Sequence, residues 1–352
     1  MIWLTWRQFR IQFLVIAAVV FAAAVVLAAT GPSLADDYRT LADNFIRNLA
    51  FARLNPVLYQ VGLALLYAVP PVIGAFWGAP LIARELETGT HRLVWSQSIS
   101  RSRWLATKIG VGALGTIAVT GVLSLAVTWW SSPIDKAINA GQESNRFLPR
   151  MFPVTFSGRG LVPIGYAVFA FALGVAIGLV IRRTLVALAI TLAVVILIEV
   201  LAPSLIRPHL MAPTDQTVLA TAENVRGFEL SGDNGPDPQL KRIEVAMNAV
   251  GGWKLTDQTV DKAGKAVSMM PAWAVKCAPV PPMTAAAGAA PNPAADRAAC
   301  FQRLTNEGYR QHLRYFTADK FWPLQWREFG LFLLLAFALV GFSFWRIRRD
   351  LS

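Results

Sequence analysis

Few residues in this chain have the type and spacing to do chemistry. The only cysteines, Cys277 and Cys300, bracket an Ala/Pro-rich stretch from Pro279 to Ala298. Two thiols flanking a flexible stretch suit a disulfide formed in an oxidising compartment, the alternative being two free thiols. No CxxC and no Cys/His cluster accompanies them, so a metal centre is not expected. His91, His209 and His312 are scattered through polar segments, and the sequence contains no GxxxxGKS/T, GxSxG or HExxH. A catalytic constellation is therefore not expected, and ATP hydrolysis by this chain is not expected either.

Two carboxylate features stand apart. Glu199 is the only acidic residue within a long apolar run. It follows Leu185 at a helical distance of about 21 Å, and a carboxylate at that depth in a bilayer is costly unless it faces protein or water. That makes it a default functional candidate; the alternative is that it reaches the outer interface beside Pro203 or caps a neighbouring element. The second feature is the segment Ala83 to Lys108, ARELETGTHRLVWSQSISRSRWLATK, which is long and oddly composed for a connector. Glu85 and Glu87 open it, Gly89-Thr90 breaks it, Leu93, Val94 and Trp95 form an amphipathic stretch, and Arg101, Arg103 and Lys108 close it. This reads as helix, turn and helix along a membrane surface. A plainer reading is a basic loop anchored by Trp95 and Trp104.

The elements that carry these residues follow from composition. Of 352 residues, 55% are hydrophobic and 15% charged, with a formal net charge of +12. Lys and Arg stand beside apolar runs rather than on one polar domain, which points to a membrane and not to nucleic acid. About 20 apolar residues span the hydrocarbon core as a helix. Six runs meet this length rule or come near it: Ile11 to Thr30, Val57 to Ile82, Ile109 to Trp130, Leu161 to Ile181, Leu185 to Leu205, and Phe329 to Trp345, the last extended by Trp322 to Trp326. Arg7, Arg10, Arg84, Arg92, Arg101, Arg103, Lys108, Arg182, Arg183, Arg346, Arg348 and Arg349 fall on one side if the spans alternate, so both termini are expected in the cytoplasm of a cell-membrane protein. Residues 1–10, with Trp3, Trp6 and Phe9 at helical spacing, read as an interfacial helix, with a cleaved signal peptide as the alternative.

The expected class is thus an all-α polytopic membrane protein. Residues 11–205 hold spans one to five with the cytoplasmic loop 83–108, residues 206–323 form a small extracytoplasmic domain, and residues 324–352 hold the sixth span and a basic cytoplasmic tail. In the outer domain, Gly232 to Pro238 reads as a turn, with ordered elements at Ile243 to Trp253 and Leu255 to Val260. Pro70 and Pro71 predict a kink in span two. Gly74/Gly78 and Gly174/Gly178 predict close helix packing within the chain rather than a dimer seam.

The loop resembles that of the permease subunits of type-2 ABC exporters, and the chain is closest to actinobacterial members. In that family an acidic pair, Gly-Thr, Leu, Ser-Arg and Lys follow the second span; Glu85, Glu87, Gly89, Thr90, Leu93, Ser100, Arg101 and Lys108 stand in those places, with Arg92 and Arg103 beside them. MIWLTWRQFR resembles the family's elbow helix, Gly165 to Leu192 its fourth and fifth spans, and RYFTADKFWPLQWREFGLFLLL its approach to the last span. The resemblance implies that the loop is a coupling helix docking on a separate ATPase subunit. It also implies a substrate pathway shared with a second permease copy, homodimeric or heterodimeric, no cofactor in this chain, and ATP with Mg in the partner. The readings from other classes are a membrane sensor or assembly subunit without transport, and a membrane enzyme, for which Glu199 has no catalytic partner in sequence.

Overall fold

The computed structural model describes residues 2–90, 100–142, 144–231, 239–245, 250–278 and 293–350. Arg92, Leu93, Val94 and Trp95, the expected turn Gly232 to Pro238 and most of the Ala/Pro-rich stretch lie outside the described residues.

In chain order the helices are α1 (Ile2–Leu41), α2 (Phe45–Phe51), α3 (Leu54–Ile73), α4 (Ala79–Glu87), α5 (Arg101–Trp130), α6 (Ser132–Asn139), α7 (Pro153–Ser157), α8 (Val162–Ile181) and α9 (Thr184–Leu205). There follow β1 (Thr214–Leu219), β2 (Val225–Ser231), β3 (Gln239–Val245), β4 (Trp253–Val260), α10 (Pro293–Glu307), β5 (Arg310–Phe316) and α11 (Phe321–Asp350). The chain divides into two compact units, Met1–Ala212 with Ala318–Ser352, and Pro213–Thr317.

Among the described residues, six helical stretches of the first unit are long and apolar enough to cross a membrane: Phe9–Phe51, Leu54–Glu87, Arg101–Trp130, Val162–Ile181, Thr184–Leu205 and Ala318–Arg349. They are the six expected spans, lengthened mainly by polar turns at their ends. Helix α1 runs from Ile2 into the first span without a break, as no cap or breaker stands between Arg10 and Ile11. Contacts near the ends show that the spans alternate. Lys108 meets Glu85 and Glu87 meets Thr184 at one end, while Trp130 Nε1 donates to Thr30 Oγ1 at the other (3.0 Å).

The central helix is α8, 72% of whose apolar window is buried against 11% for the first span. It packs against α3, α4, α5, α9 and α11. The glycine pairs explain how α8 approaches span two. A Cβ on Gly174 would lie 2.7 Å from Ala79 N, and one on Gly74 would lie 2.8 Å from Ala170 O, so the two backbones touch where only hydrogen fits. This is packing within the chain, as the spacing predicts. Just after Pro70 and Pro71, which remove two backbone donors, span two widens into a π-helical turn at Gly74–Gly78. Large apolar side chains such as Phe21, Leu114, Leu125, Leu185, Val200 and Phe337 point outward, where a bilayer would cover them.

The second unit corrects the all-α expectation. Strands β1, β5 and β4 form an antiparallel sheet in that order, with Thr214 opposite Tyr315 and Trp253 opposite Phe316, and β2 pairs with β3 in a second antiparallel sheet. Segments such as TDQTVL and WKLTDQTV carry β-branched residues among polar ones and lack the continuous apolar run that marks a buried strand. Leu240, Ile243, Met270, Ala274, Phe301 and Leu304 form a core around the Cys277–Cys300 disulfide, whose Cα atoms are 5.4 Å apart. The disulfide matches the pairing expected from sequence.

Candidate functional site

Span two ends by presenting its polar last turn to two neighbours. Glu85 and Glu87 are two residues apart on α4, so their side chains point to opposite sides of the helix. On one side, the buried Lys108 of α5 donates to Glu85 Oε1 at 2.6 Å and to Leu81 O at 3.3 Å, with its ammonium 5.2 Å from the Trp104 ring centroid. On the other side, Glu87 Oε2 accepts from Thr184 N at 2.9 Å and from Thr184 Oγ1 at 2.6 Å. A carboxylate there satisfies a free N–H of the first turn of α9 and complements the helix dipole. Thr184 is brought within reach by the tight turn in which Arg182 (φ 58°) ends α8 and Arg183 is extended.

The helix stops at Gly89, whose φ of +72° is the left-handed conformation that glycine adopts without a Cβ clash. Thr88 Oγ1 donates to Arg84 O at 2.8 Å and lies 3.1 Å from Thr90 Oγ1. Across the loop, Ser100 caps α5, its hydroxyl accepting from Arg103 N at 3.4 Å. Arg348 Nε of α11 donates to Ser102 Oγ at 3.4 Å, which brings the last span to the same end.

Of the residues expected to dock on a partner, Glu85, Glu87, Ser100 and Lys108 thus bond within this chain. Thr90 and Arg103 are exposed, Arg101 is half-buried, and Arg92 and Leu93 lie outside the described residues. Exposed Arg84 faces outward from the same turn, a residue that the acidic pair beside it overshadows in the sequence.

The opposite end holds a polar cluster that sequence reasoning missed. Arg207 and Glu328 are fully buried and paired twice, Nε to Oε2 at 2.7 Å and NH2 to Oε1 at 3.0 Å. Arg207 also donates to Pro153 O and Ser157 Oγ, and its guanidinium lies 4.2 Å from the Phe156 ring centroid. Tyr166 OH donates to Glu328 Oε1 at 2.7 Å. One turn back, Gln325 Oε1 accepts from Leu161 N and Val162 N at 2.8 and 2.9 Å, which satisfies the start of α8, and its amide donates to Phe156 O. Beside them Arg159 pairs with Asp135 at 2.5 and 2.6 Å and lies over the Tyr59 ring. A signal was present in the sequence: Arg207 just follows span five and Glu328 just precedes the sixth apolar run, so alternation sets these opposite charges at one end.

Glu199 lies on the stripe Ala187, Thr191, Val195, Glu199 and Ala202, the buried face of α9. It is 7% exposed, and its Oε1 is enclosed without a hydrogen-bond partner among the described residues. The side chain therefore turns toward the protein and not along the lipid-facing stripe that holds Leu197 and Val200.

A family model described as ABC-2 membrane transporter related matches residues 9–207. No match was found among curated proteins or solved structures.

Proposed function

Because the chain belongs to the ABC-2 membrane transporter related family, we propose that this multi-pass membrane protein is the permease subunit of an ATP-binding cassette exporter. A separate ATPase subunit binds ATP with Mg and supplies the hydrolysis, and a second permease copy completes the pathway. The arginine-rich end, with both termini and the loop 83–108, faces the cytoplasm, since Lys and Arg flanking spans are retained there. The unit Pro213–Thr317 lies outside, in keeping with its disulfide. Glu199 contributes to the substrate path.

The observation that carries this reading is the pair of ties on α4. Glu85 with Lys108 fastens span two to span three, and Glu87 with Thr184 fastens it to span five. A displacement of the loop would thereby reach three spans at once, as coupling requires. In the test, ATPase pull-down and ATP-driven transport in vesicles are measured for Gly89→Val and Glu87→Ala, with insertion checked in parallel. Gly89→Val places a β-branched residue at a positive φ, and Glu87→Ala cuts the tie to span five. Both variants should insert and lose ATPase binding or coupling; normal binding and transport in both would refute the assignment.

A second reading, a sensor or assembly subunit without transport, draws on the unit Pro213–Thr317, which has its own core and disulfide. Absence of ATP-driven transport by a complex that retains the ATPase would select it.

A further inference from the structure

Beside the polar turn of α4, a cleft of about 400 Å³ opens between the start of α1, the end of span two and the start of α5. Phe9, Gln12, Leu81, Arg84, Thr88 and Lys108 are among the residues that line it. Its depth in the membrane follows from its walls. Gln12 stands at the beginning of one apolar run, Leu81 at the end of the next, and Lys108 one residue before the third. The cleft therefore sits where spans meet the interface, at the level of lipid headgroups.

Its charge balance favours an anion. Glu85, the carboxylate that lines it, is held by Lys108 at 2.6 Å, and Glu87 is engaged by Thr184. Arg84 is exposed and forms no ion pair with any described residue, and exposed Arg7 and Arg10 lie on the α1 turns next to Phe9. Arg84 supplies the planar donor fork that suits a phosphodiester, and Gln12 supplies a carboxamide donor. Thr90, also in the lining, presents a hydroxyl oxygen with lone pairs for a hydroxyl donor. From the lining residue Gln12, exposed Val15 and Val19 follow one and two turns further along the same side of α1, an apolar stripe along which acyl chains can lie.

We propose that this cleft is a binding site for the headgroup of an anionic glycerophospholipid, whose phosphate is held by Arg84 and Gln12 and whose acyl chains run along α1. Cations clustered between spans at the headgroup level attract such lipids, and a volume of a few hundred Å³ is that of a small-molecule site. The site is independent of the transport reading, because it needs only a protein seated in a bilayer.

The test uses the full chain purified in a neutral detergent, with bound lipid counted by native mass spectrometry. Phosphatidylglycerol, phosphatidylcholine and inorganic phosphate are compared as probes. Phosphatidylglycerol should be retained in preference to phosphatidylcholine and should raise the thermal unfolding temperature, while inorganic phosphate does neither. Arg84→Gln should lower phosphatidylglycerol retention about tenfold, Arg84→Lys should recover part of it, and Arg103→Gln, an exposed cation outside the cleft, should leave it unchanged. Equal retention of the two lipids would overturn the proposal, as would an equal loss in Arg84→Gln and Arg103→Gln, which would mean diffuse attraction to a basic surface. Phosphate acting as well as the lipid would make this a free-anion site, and release of the lipid by an added ATPase whose surface then cross-links to residue 84 would make it a protein contact; either result refutes the lipid assignment.

Discussion

The tie between Lys108 and Glu85 gives the sharpest energetic test of the arginine-rich end. The side chains are 4% and 13% exposed, with nitrogen and oxygen 2.6 Å apart. Lys108→Met keeps the length and packing of the side chain but removes the ammonium that Glu85 Oε1 meets at 2.6 Å. Stranding one partner of a buried pair costs about 3 to 5 kcal/mol, whereas replacing both partners with apolar residues of similar volume is close to neutral. Lys108→Met should therefore lower stability by about 3 kcal/mol, roughly a hundredfold in the folded-to-unfolded ratio. The double variant Lys108→Met/Glu85→Leu should return to within about 1 kcal/mol of the parent. The assay is unfolding of the purified full chain in mixed micelles of rising denaturing-detergent fraction, followed by circular dichroism. A loss below about 1 kcal/mol in Lys108→Met, or a double variant whose loss is the sum of the two singles, would refute the claim that this pair is enclosed and coupled.

Three further outcomes follow from the packing. Glu328→Leu should cost about 3 to 5 kcal/mol in the same titration because it removes the carboxylate that pairs twice with the buried Arg207 guanidinium, and Arg207→Met added to it should recover most of the loss. Gly174→Val pushes an isopropyl group into backbone contact with Gly74 and Ala79, so its thermal unfolding should show a loss of at least about 1 to 3 kcal/mol, while Gly330→Ala, where an added Cβ meets nothing within 4 Å, should be near neutral. Replacing both Cys277 and Cys300 by Ser opens a loop with a sequence separation of 23. Loop entropy puts the cost at about 3 kcal/mol, and limited proteolysis should find it confined to residues 213–317 with the spans intact.

Much of the membrane unit was legible because one physical requirement dominates it. A helix that crosses about 30 Å of hydrocarbon needs about 20 apolar residues, and no other element satisfies the backbone there, so length and charge locate six spans. Gly89 and the glycine pairs were legible for a related reason, since only glycine fits a positive φ or a backbone contact. The strands of Pro213–Thr317 were not, because short polar segments such as TDQTVL become strands through partners distant in sequence. The site was legible in place but not in role. Glu85 and Glu87 look like one acidic pair on a docking face, yet two residues of helix separate them by about 200°. Each meets a different span, and among the described residues Arg84 and Arg103 face outward. The Arg207–Glu328 pair escaped notice because charges at span ends ordinarily belong to the interface and are solvated; only the fold shows that these two are fully buried.

The distribution of ties also constrains how the proposed transport cycle would use this chain. At the arginine-rich end α4 is bonded to α5 on one side and α9 on the other; at the opposite end Gln325 and Glu328 of α11 hold the start of α8, Tyr166 and Arg207. Between the ends, α8 and span two touch backbone to backbone, so neither helix can slide past the other without overlap. Spans two to six are therefore braced at both ends and in the middle, whereas α1 is mostly exposed along its apolar window. A block braced in this way resists internal shear, since packed interfaces shift between discrete arrangements rather than deforming continuously. In the proposed cycle, a push on the loop 83–108 would then rotate the block as a unit against a second permease copy, carrying with it α1, which packs on α5 and is held to it by Trp130 and Thr30.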